Sequence, residues 1–258
     1  MNGIIDLAVW QVVAAYIFVL IVLFIVRRRG ISREREIVLA TFRMTLQLVL
    51  VGYVLVFVFD NPNPFITVGI IILMEAFAIY TVVRKFKGEL SRGLQQAVIF
   101  SMVIGTSICL LFFLLVVVRV APWYNPQYFI PIAGMFIGNS MTALSLGVKS
   151  LTEGMVSQKH LVEEALVLGA TPKTATSRII NSTFDSAIMP TINSMLGMGI
   201  DFLPGLMTGQ ILAGVAPTTA IAYQIAIMFG ILGAVALSVI VMLQLGYRSF
   251  FNKDAQLI

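Results

Sequence analysis

The chain has 258 residues, 59% of them apolar and only 11% charged, with a mean hydropathy of +0.98 and a formal net charge of +5. A soluble domain carries about twice that charged fraction, so the composition excludes a water-soluble globular protein and makes lipid the solvent. A single cysteine, Cys109, and a single histidine, His160, exclude a disulfide framework and a Cys/His metal cluster.

A spanning helix needs about 20 predominantly apolar residues, and seven such segments follow one another. The first four are 7–26, 37–59, 65–83 and 97–118. The fifth, 129–148, is softened by Gly134, Gly138 and Gly147. The sixth, about 191–213, is interrupted by Gly197, Gly199 and the Pro204-Gly205 pair, and the seventh is 220–245. Arg27, Arg28 and Arg29 follow the first segment, which reads as a stop-transfer pattern rather than a cleaved signal. The fold class is an all-α integral membrane protein of about seven spans, forming one multi-pass domain over 1–258.

Cations alternate from loop to loop. The first loop holds five arginines, and the 60–64 loop holds no Lys or Arg. Arg84, Lys85, Lys87 and Arg92 lie in the third loop, and Arg119 stands alone in the fourth. Lys149, Lys159, Lys173 and Arg178 lie in the fifth, none in 214–219, and Arg248 and Lys253 in the tail. By the positive-inside rule the N-terminus lies outside and the C-terminus in the cytoplasm. The membrane is then the cell (cytoplasmic or inner) membrane, and 149–189, between the fifth and sixth spans, is cytoplasmic. No GxxxxGK[ST] loop occurs, so the chain is expected to be a non-enzyme that holds no nucleotide itself. No internal repeat supports an inverted-repeat transporter.

Within that cytoplasmic segment, 162–172 is a polar island, VEEALVLGATP. Glu163 and Glu164 precede the apolar run 165–168, Gly169 can end a helix in the left-handed conformation, and Pro172 can start the next. Two short helices meeting at a bend are predicted, with Ala165, Leu166 and Leu168 as an apolar face above an acidic rim. The alternative is an amphipathic helix lying on the membrane surface. Glu163-Glu164-Ala165, three residues, then Gly169-Ala170 resembles the coupling loop of ATP-binding-cassette (ABC) permeases, EAA-x-x-x-G. The usual closing Ile-x-Leu-Pro is displaced, because Ile188-Met189-Pro190 falls about nineteen residues after Gly169. Residues 130–147, 166–173 and 203–224 are similar to FetB/YbbM-type permeases, ABC membrane subunits associated with iron export, with plant relatives linked to aluminium tolerance. The likeness is concentrated in about 130–225. It implies a homodimer of this chain coupled to a separate cytoplasmic ABC ATPase that binds ATP and Mg. It further implies that Glu163, Glu164, Ala165, Gly169, Ala170 and Pro172 couple to that ATPase, with lipid as the remaining partner and no nucleic acid. The cargo so implied is iron or a related metal ion or metal-linked solute.

Ionisable groups inside spans are expensive and mark candidate functional positions. Glu75, at the centre of the third segment, is either protonated, paired (for instance with Arg43), or part of a cation path. Arg43 can snorkel to the cytoplasmic interface, with Gln47 one turn on along the same face. Asp201 stands beside the helix break at Pro204 and Gly205, which is the expected gate; it either offers oxygens to a cation or is an outer-vestibule residue solvated by water. Asn139 and Ser140 offer neutral oxygens beside Gly134-x-x-x-Gly138, a spacing that permits close helix approach, and the favoured reading is that they are packing polar residues bonded to a neighbouring helix. Met135, Met141, Met195, Met198 and Met207 are read mainly as gap fillers. The competing function is an ion-gradient-driven secondary transporter using Glu75 and Asp201, and a seven-helix receptor or scaffold is a third class.

Overall fold

The structure, a computed structural model, describes residues 7–86, 88, 90–252 and 254–257. Lys87 and Lys253, two of the cations counted above, lie outside the described residues. Among the described residues the chain is helical, and its only extended pairings are two isolated bridges.

Among the described residues six helical segments are long and apolar enough to cross a membrane. They comprise α1 (Val9–Arg28), α2 (Glu34–Asp60), α3 (Pro64–Lys85), α4 (Arg92–Phe112) with its π-helical extension Phe113–Val118, α5 (Pro126–Ser157) and α10 (Pro217–Gly246) with a closing 3-10 turn. The segment expected as the sixth span is divided. Its residues fall on the end of α8 (Ser177–Gly197), a turn at 198–204, and α9 (Gly205–Leu212). Gly199, at φ +89°, makes the turn, and Gly199 N–H donates to the Phe202 carbonyl at 2.9 Å. The expected interruption is therefore present, and it is deep enough that no single helix covers 191–213.

The chain separates into two compact units, residues 1–61 with 212–214, and 62–211 with 215–258. In the first, α1 ends on Arg27 and Arg28, and Gly30 (φ +66°) closes it with bonds from Gly30 N–H to the Arg27 carbonyl and Ile31 N–H to the Val26 carbonyl. No residue of α1 is buried, which suits a helix apolar on every side and solvated by lipid. The Tyr16 and Thr45 hydroxyls hydrogen-bond between α1 and α2. Arg43 and Gln47 line one groove of α2 with Glu36, as their four-residue spacing predicts.

The second unit holds the core. Its closest helix approach is between α4 and α10. A Cβ on Gly105 would meet the Ser238 backbone at 2.8 Å, and one on Gly246 would meet Leu94 Cδ1 at 2.7 Å. Small residues thus set the seam, as expected where lipid supplies no hydrophobic drive between helices. The Gly134–Gly138 pair does not: Gly134 abuts Met74 of α3, and Gly138 has nothing within 4 Å. Phe113 and Phe136 stack at 5.4 Å in the core, while Trp123 packs edge-on against Tyr124 and Phe129 beyond the end of α4.

Two boundaries differ from the hydropathy reading. α5 runs to Ser157, so its 32 residues span about 48 Å at 1.5 Å each, well beyond a hydrocarbon core of about 30 Å. The i,i+4 pair Lys149–Glu153, at 3.8 Å, carries the helix through residues that hydropathy assigns to a loop. α8 begins at Ser177, so Ile188-Met189-Pro190 sits mid-helix instead of closing a loop.

Candidate functional site

Between α5 and α8 the chain folds as two short helices, α6 (Lys159–Val167) and α7 (Pro172–Ala175). Gly169 adopts φ +89°, and the end of α6 is closed from both sides. Ala170 N–H donates to the Ala165 carbonyl at 2.9 Å, and Gly169 N–H to the Leu166 carbonyl at 3.0 Å, which together make a Schellman motif. Thr171 Oγ1 then accepts from Thr174 N–H at 3.3 Å, and Pro172 occupies the first turn. These bonds fix both sides of the bend, so the elbow is a defined corner.

The faces of the elbow are not as the periodicity predicts. Val162 is buried, Ala165 and Leu166 are half-buried, and Leu166 packs against the core. The apolar tip that points outward is Val167 and Leu168, 86% and 88% exposed. Of the expected apolar face only Leu168 is outward, because Leu166 packs on the core and Ala165 is half-buried. Glu163 pairs with Lys159 at 3.7 Å, while Glu164 is exposed. Two grooves flank the elbow: Tyr247, Arg248, Phe251, Asn252 and Ala255 of the tail line one, and Asp254, Ala255, Gln256 and Leu257 line the other. The tail is a folded loop: Asn252 Oδ1 accepts from the backbone N–H of Asp254 and of Gln256, each at 2.9 Å. Phe251 and Leu257 pack against the core beneath it. The sequence signal for this loop was the Asn-x-Asp-Ala turn chemistry between two apolar residues.

The intramembrane candidates do not converge. Glu75 is half-buried on α3 and lies 2.9 Å from Thr106 Oγ1 of α4. The Thr106 hydroxyl also lies 2.7 Å from the Met102 carbonyl. A hydroxyl has one proton, so the Thr106 hydroxyl shares it between the Glu75 carboxyl and the Met102 carbonyl. Asn139 and Ser140 face opposite ways. Asn139 is exposed and its amide donates to the Met135 carbonyl at 2.7 Å, whereas Ser140 is fully buried with an unpartnered Oγ. Asp201 is exposed in the 198–204 turn, its backbone N–H donating to the Gly197 carbonyl at 2.9 Å. Pro204 precedes α9, Gly205 begins it, and the Pro204 carbonyl accepts from Thr208 N–H at 2.9 Å. Among the described residues no three His, Cys, Asp or Glu side chains gather closely enough to hold a metal ion. One buried group the spacing did not single out is Gln224 of α10, whose amide nitrogen lies 3.8 Å from Met198 Sδ at the break.

Comparison with known proteins adds to this geometry. A model of the uncharacterised protein family UPF0014 matches residues 9–251. The chain belongs to the UPF0014 family. Three UPF0014 relatives illustrate its range. The chain is 37% identical over 244 residues to "Protein ALUMINUM SENSITIVE 3" of Arabidopsis thaliana, covering 95% of this chain and 88% of that protein. It is 31% identical over 244 residues to the "Probable iron export permease protein FetB" of Escherichia coli, covering 95% and 92%. It is 34% identical over 241 residues to the "UPF0014 membrane protein YjkA" of Bacillus subtilis, covering 93% and 94%. No solved structure matches. The UPF0014 relationship thus extends well beyond 130–225, where the likeness is most evident by eye, and takes in Glu75, the elbow and the break. This UPF0014 chain is a multi-pass membrane protein of a permease family.

Proposed function

We propose that the chain is the membrane subunit of an ABC exporter, in which two copies are driven by a separate ATPase and move iron, a related metal ion or a metal-linked solute. The observation that carries this reading is the elbow. A soluble motor can push only on a stiff element that stands clear of the bilayer, and α6–α7 is a doubly capped corner with Val167 and Leu168 projecting from it. Exposed apolar side chains at a defined bend fit a groove in a partner protein. Glu164 lies beside them, with Glu163, Ala165, Gly169, Ala170 and Pro172 forming and holding the corner. ATP and Mg bind at the partner.

In this reading α8 and α9 together make the sixth of seven crossings, with the N-terminus outside and the C-terminus in the cytoplasm. The 198–204 turn with Pro204 and Gly205 is the gate. Asp201, Glu75, Asn139 and Ser140 are the oxygen donors available along the membrane domain. With no cluster of three titratable ligands among the described residues, the cargo is held loosely or travels as a complex. The relative named as an iron export permease supports the cargo class and the direction.

Reconstitution of the chain with and without its ATPase tests the proposal. Efflux of iron from vesicles is expected to require both the ATPase and ATP, and to persist when an ionophore collapses the proton gradient. Gradient-driven efflux by the chain alone would instead establish the secondary transporter.

A further inference from the structure

The outward faces of the second unit fall into two kinds. On α3, α4 and α10 the exposed side chains within the spans are mainly apolar, among them Leu73, Phe100, Ile108 and Phe229, which suits lipid; Ser107 is the exposed polar residue midway along α4, and Arg84, Lys85, Gln96, Thr218 and Gln244 stand toward the helix ends. On α5 the exposed line instead runs Asn139, Thr142, Leu146 and Lys149. On α8 it runs Asp185, Ser186, Met189, Asn193 and Ser194. The two helices pack antiparallel, with Gly154 against Ile179, Ser150 Oγ 3.4 Å from Thr183 Oγ1, and Gly147 beside Ala187. Continued along both helices, that register sets Asp185 level with Val148 and Asn139 level with the Asn193–Ser194 step. Asn139 is ten residues from Lys149, about 15 Å along the helix axis, which puts it deep within the span.

The hydroxyl donors on this face bond their own helices. Thr142 donates to the Gly138 carbonyl at 3.0 Å, Ser186 to Ser182 at 2.9 Å and Ser194 to Pro190 at 2.9 Å, and the Asn139 amide donates to Met135. What these bonds leave available are the side-chain oxygens, with the Asn193 amide and the Asp185 carboxylate exposed beside them. Asp185 has no hydrogen bond or ion pair among the described residues. Polar groups at this depth are costly against hydrocarbon and occur where they face a partner or water.

We propose that the exposed face of α5 and α8 is the water-lined wall of the transport pathway, closed by the same face of a second copy. Its oxygens pass a hydrated cation that Asp185 draws in at the cytoplasmic mouth. The inference rests on the membrane placement and the two-copy reading given above, and supplies the surface on which both depend. A second copy suits the face because Lys149 and Glu153 on α5 and Arg178 and Asp185 on α8 place both signs of charge at one end. A two-fold partner therefore meets complementary charge. Open space around Gly138 leaves room for the path beside Asn139. Hard oxygen donors without thiolate or imidazole suit a cation that keeps much of its own water.

Cys109 is the only cysteine, so Cys109→Ala provides a thiol-free background for the full chain in inside-out membrane vesicles. Single substitutions Asn139→Cys, Thr142→Cys, Ser186→Cys and Asn193→Cys are compared with Leu73→Cys and Phe229→Cys. A trimethylammonium methanethiosulfonate should modify the first group about tenfold faster or more, because a thiol in an apolar setting forms less of its reactive thiolate. Rates at Thr142→Cys and Asn193→Cys no higher than at Phe229→Cys would overturn the wall. Oxidation should link two copies at Thr142→Cys or Ser186→Cys and not at Phe229→Cys. Absence of that link would overturn the second copy as the closing surface. The cationic reagent should outpace its sulfonate counterpart at Thr142→Cys, and Asp185→Asn should erase the difference. Equal rates with Asp185 intact would overturn the cation assignment. None of these readings uses ATPase or cargo, so they succeed or fail apart from the efflux experiment.

Discussion

Glu75 and Thr106 join α3 to α4 through the Thr106 hydroxyl, which donates to the Glu75 carboxyl at 2.9 Å. Glu75→Gln keeps an acceptor oxygen for the Thr106 hydroxyl and removes only the capacity to ionise. Its stability is expected to stay within about 0.5 kcal/mol of the parent, while metal efflux falls, and by more than in Asp201→Asn. Thr106→Val removes the bond itself and should lower stability by about 0.6 kcal/mol, the average for such bonds between spanning helices. Melting in detergent and vesicle efflux, measured on the same preparations, separate the two effects. Normal efflux by Glu75→Gln would make the carboxyl a structural acceptor only. Glu75 was conspicuous in the sequence because an acid in a long apolar run has no bland surface explanation. Thr106 was not, since a threonine in a spanning helix most often bonds its own backbone, as this one also does.

At the scale of elements, what was legible was whatever local chemistry decides. Gly169 and Pro172 specify the elbow by backbone conformation alone, and the break at Gly199 to Gly205 follows from the same residues in the sixth segment. What was illegible depends on which way a helix faces. Gly134 and Gly138 have the spacing of a packing motif, yet one meets a flexible methionine end and the other open space. The seam was set by Gly105 and Gly246, which no short motif marks. Gly105→Leu is therefore expected to cost about 1–3 kcal/mol or more through overpacking against the Ser238 backbone, and Gly138→Ala about 0.5 kcal/mol or less. Thermal unfolding of the two variants in the same detergent checks the contrast, and equal losses would contradict the packing. The reach of α5 and the early start of α8 escaped for a related reason. Hydropathy registers where apolar residues stop, whereas a helix continues as long as its backbone bonds and charge pairs allow.

At the scale of the whole molecule, the charges on the loops and the elbow make one joint demand, that the α6–α7 corner lie on the cytoplasmic side with the motor. A reporter active only in the cytoplasm, fused after residue 257, is expected to be active, and the same reporter ahead of residue 7 inactive. The reverse pattern would put the elbow on the wrong side of the membrane for any ATPase. Given that orientation, assembly should hinge on a few side chains. Glu163 is held by Lys159 at 3.7 Å and is partly neutralised by it, whereas Glu164 is exposed next to the projecting Val167 and Leu168. Glu164→Lys should thus impair assembly more than Glu163→Gln. In Glu164→Lys the chain inserts at normal abundance, the ATPase no longer co-purifies, and ATP-driven efflux is lost. Leu168→Ala acts in the same direction through lost apolar contact, about 1 kcal/mol or more if the leucine fills a pocket in the partner. Co-purification with the ATPase, compared across the three variants at equal membrane abundance, decides the matter. Undiminished ATPase binding by both Glu164→Lys and Leu168→Ala would remove the elbow from the coupling mechanism, because no other exposed feature of α6–α7 combines a free carboxylate with an apolar tip.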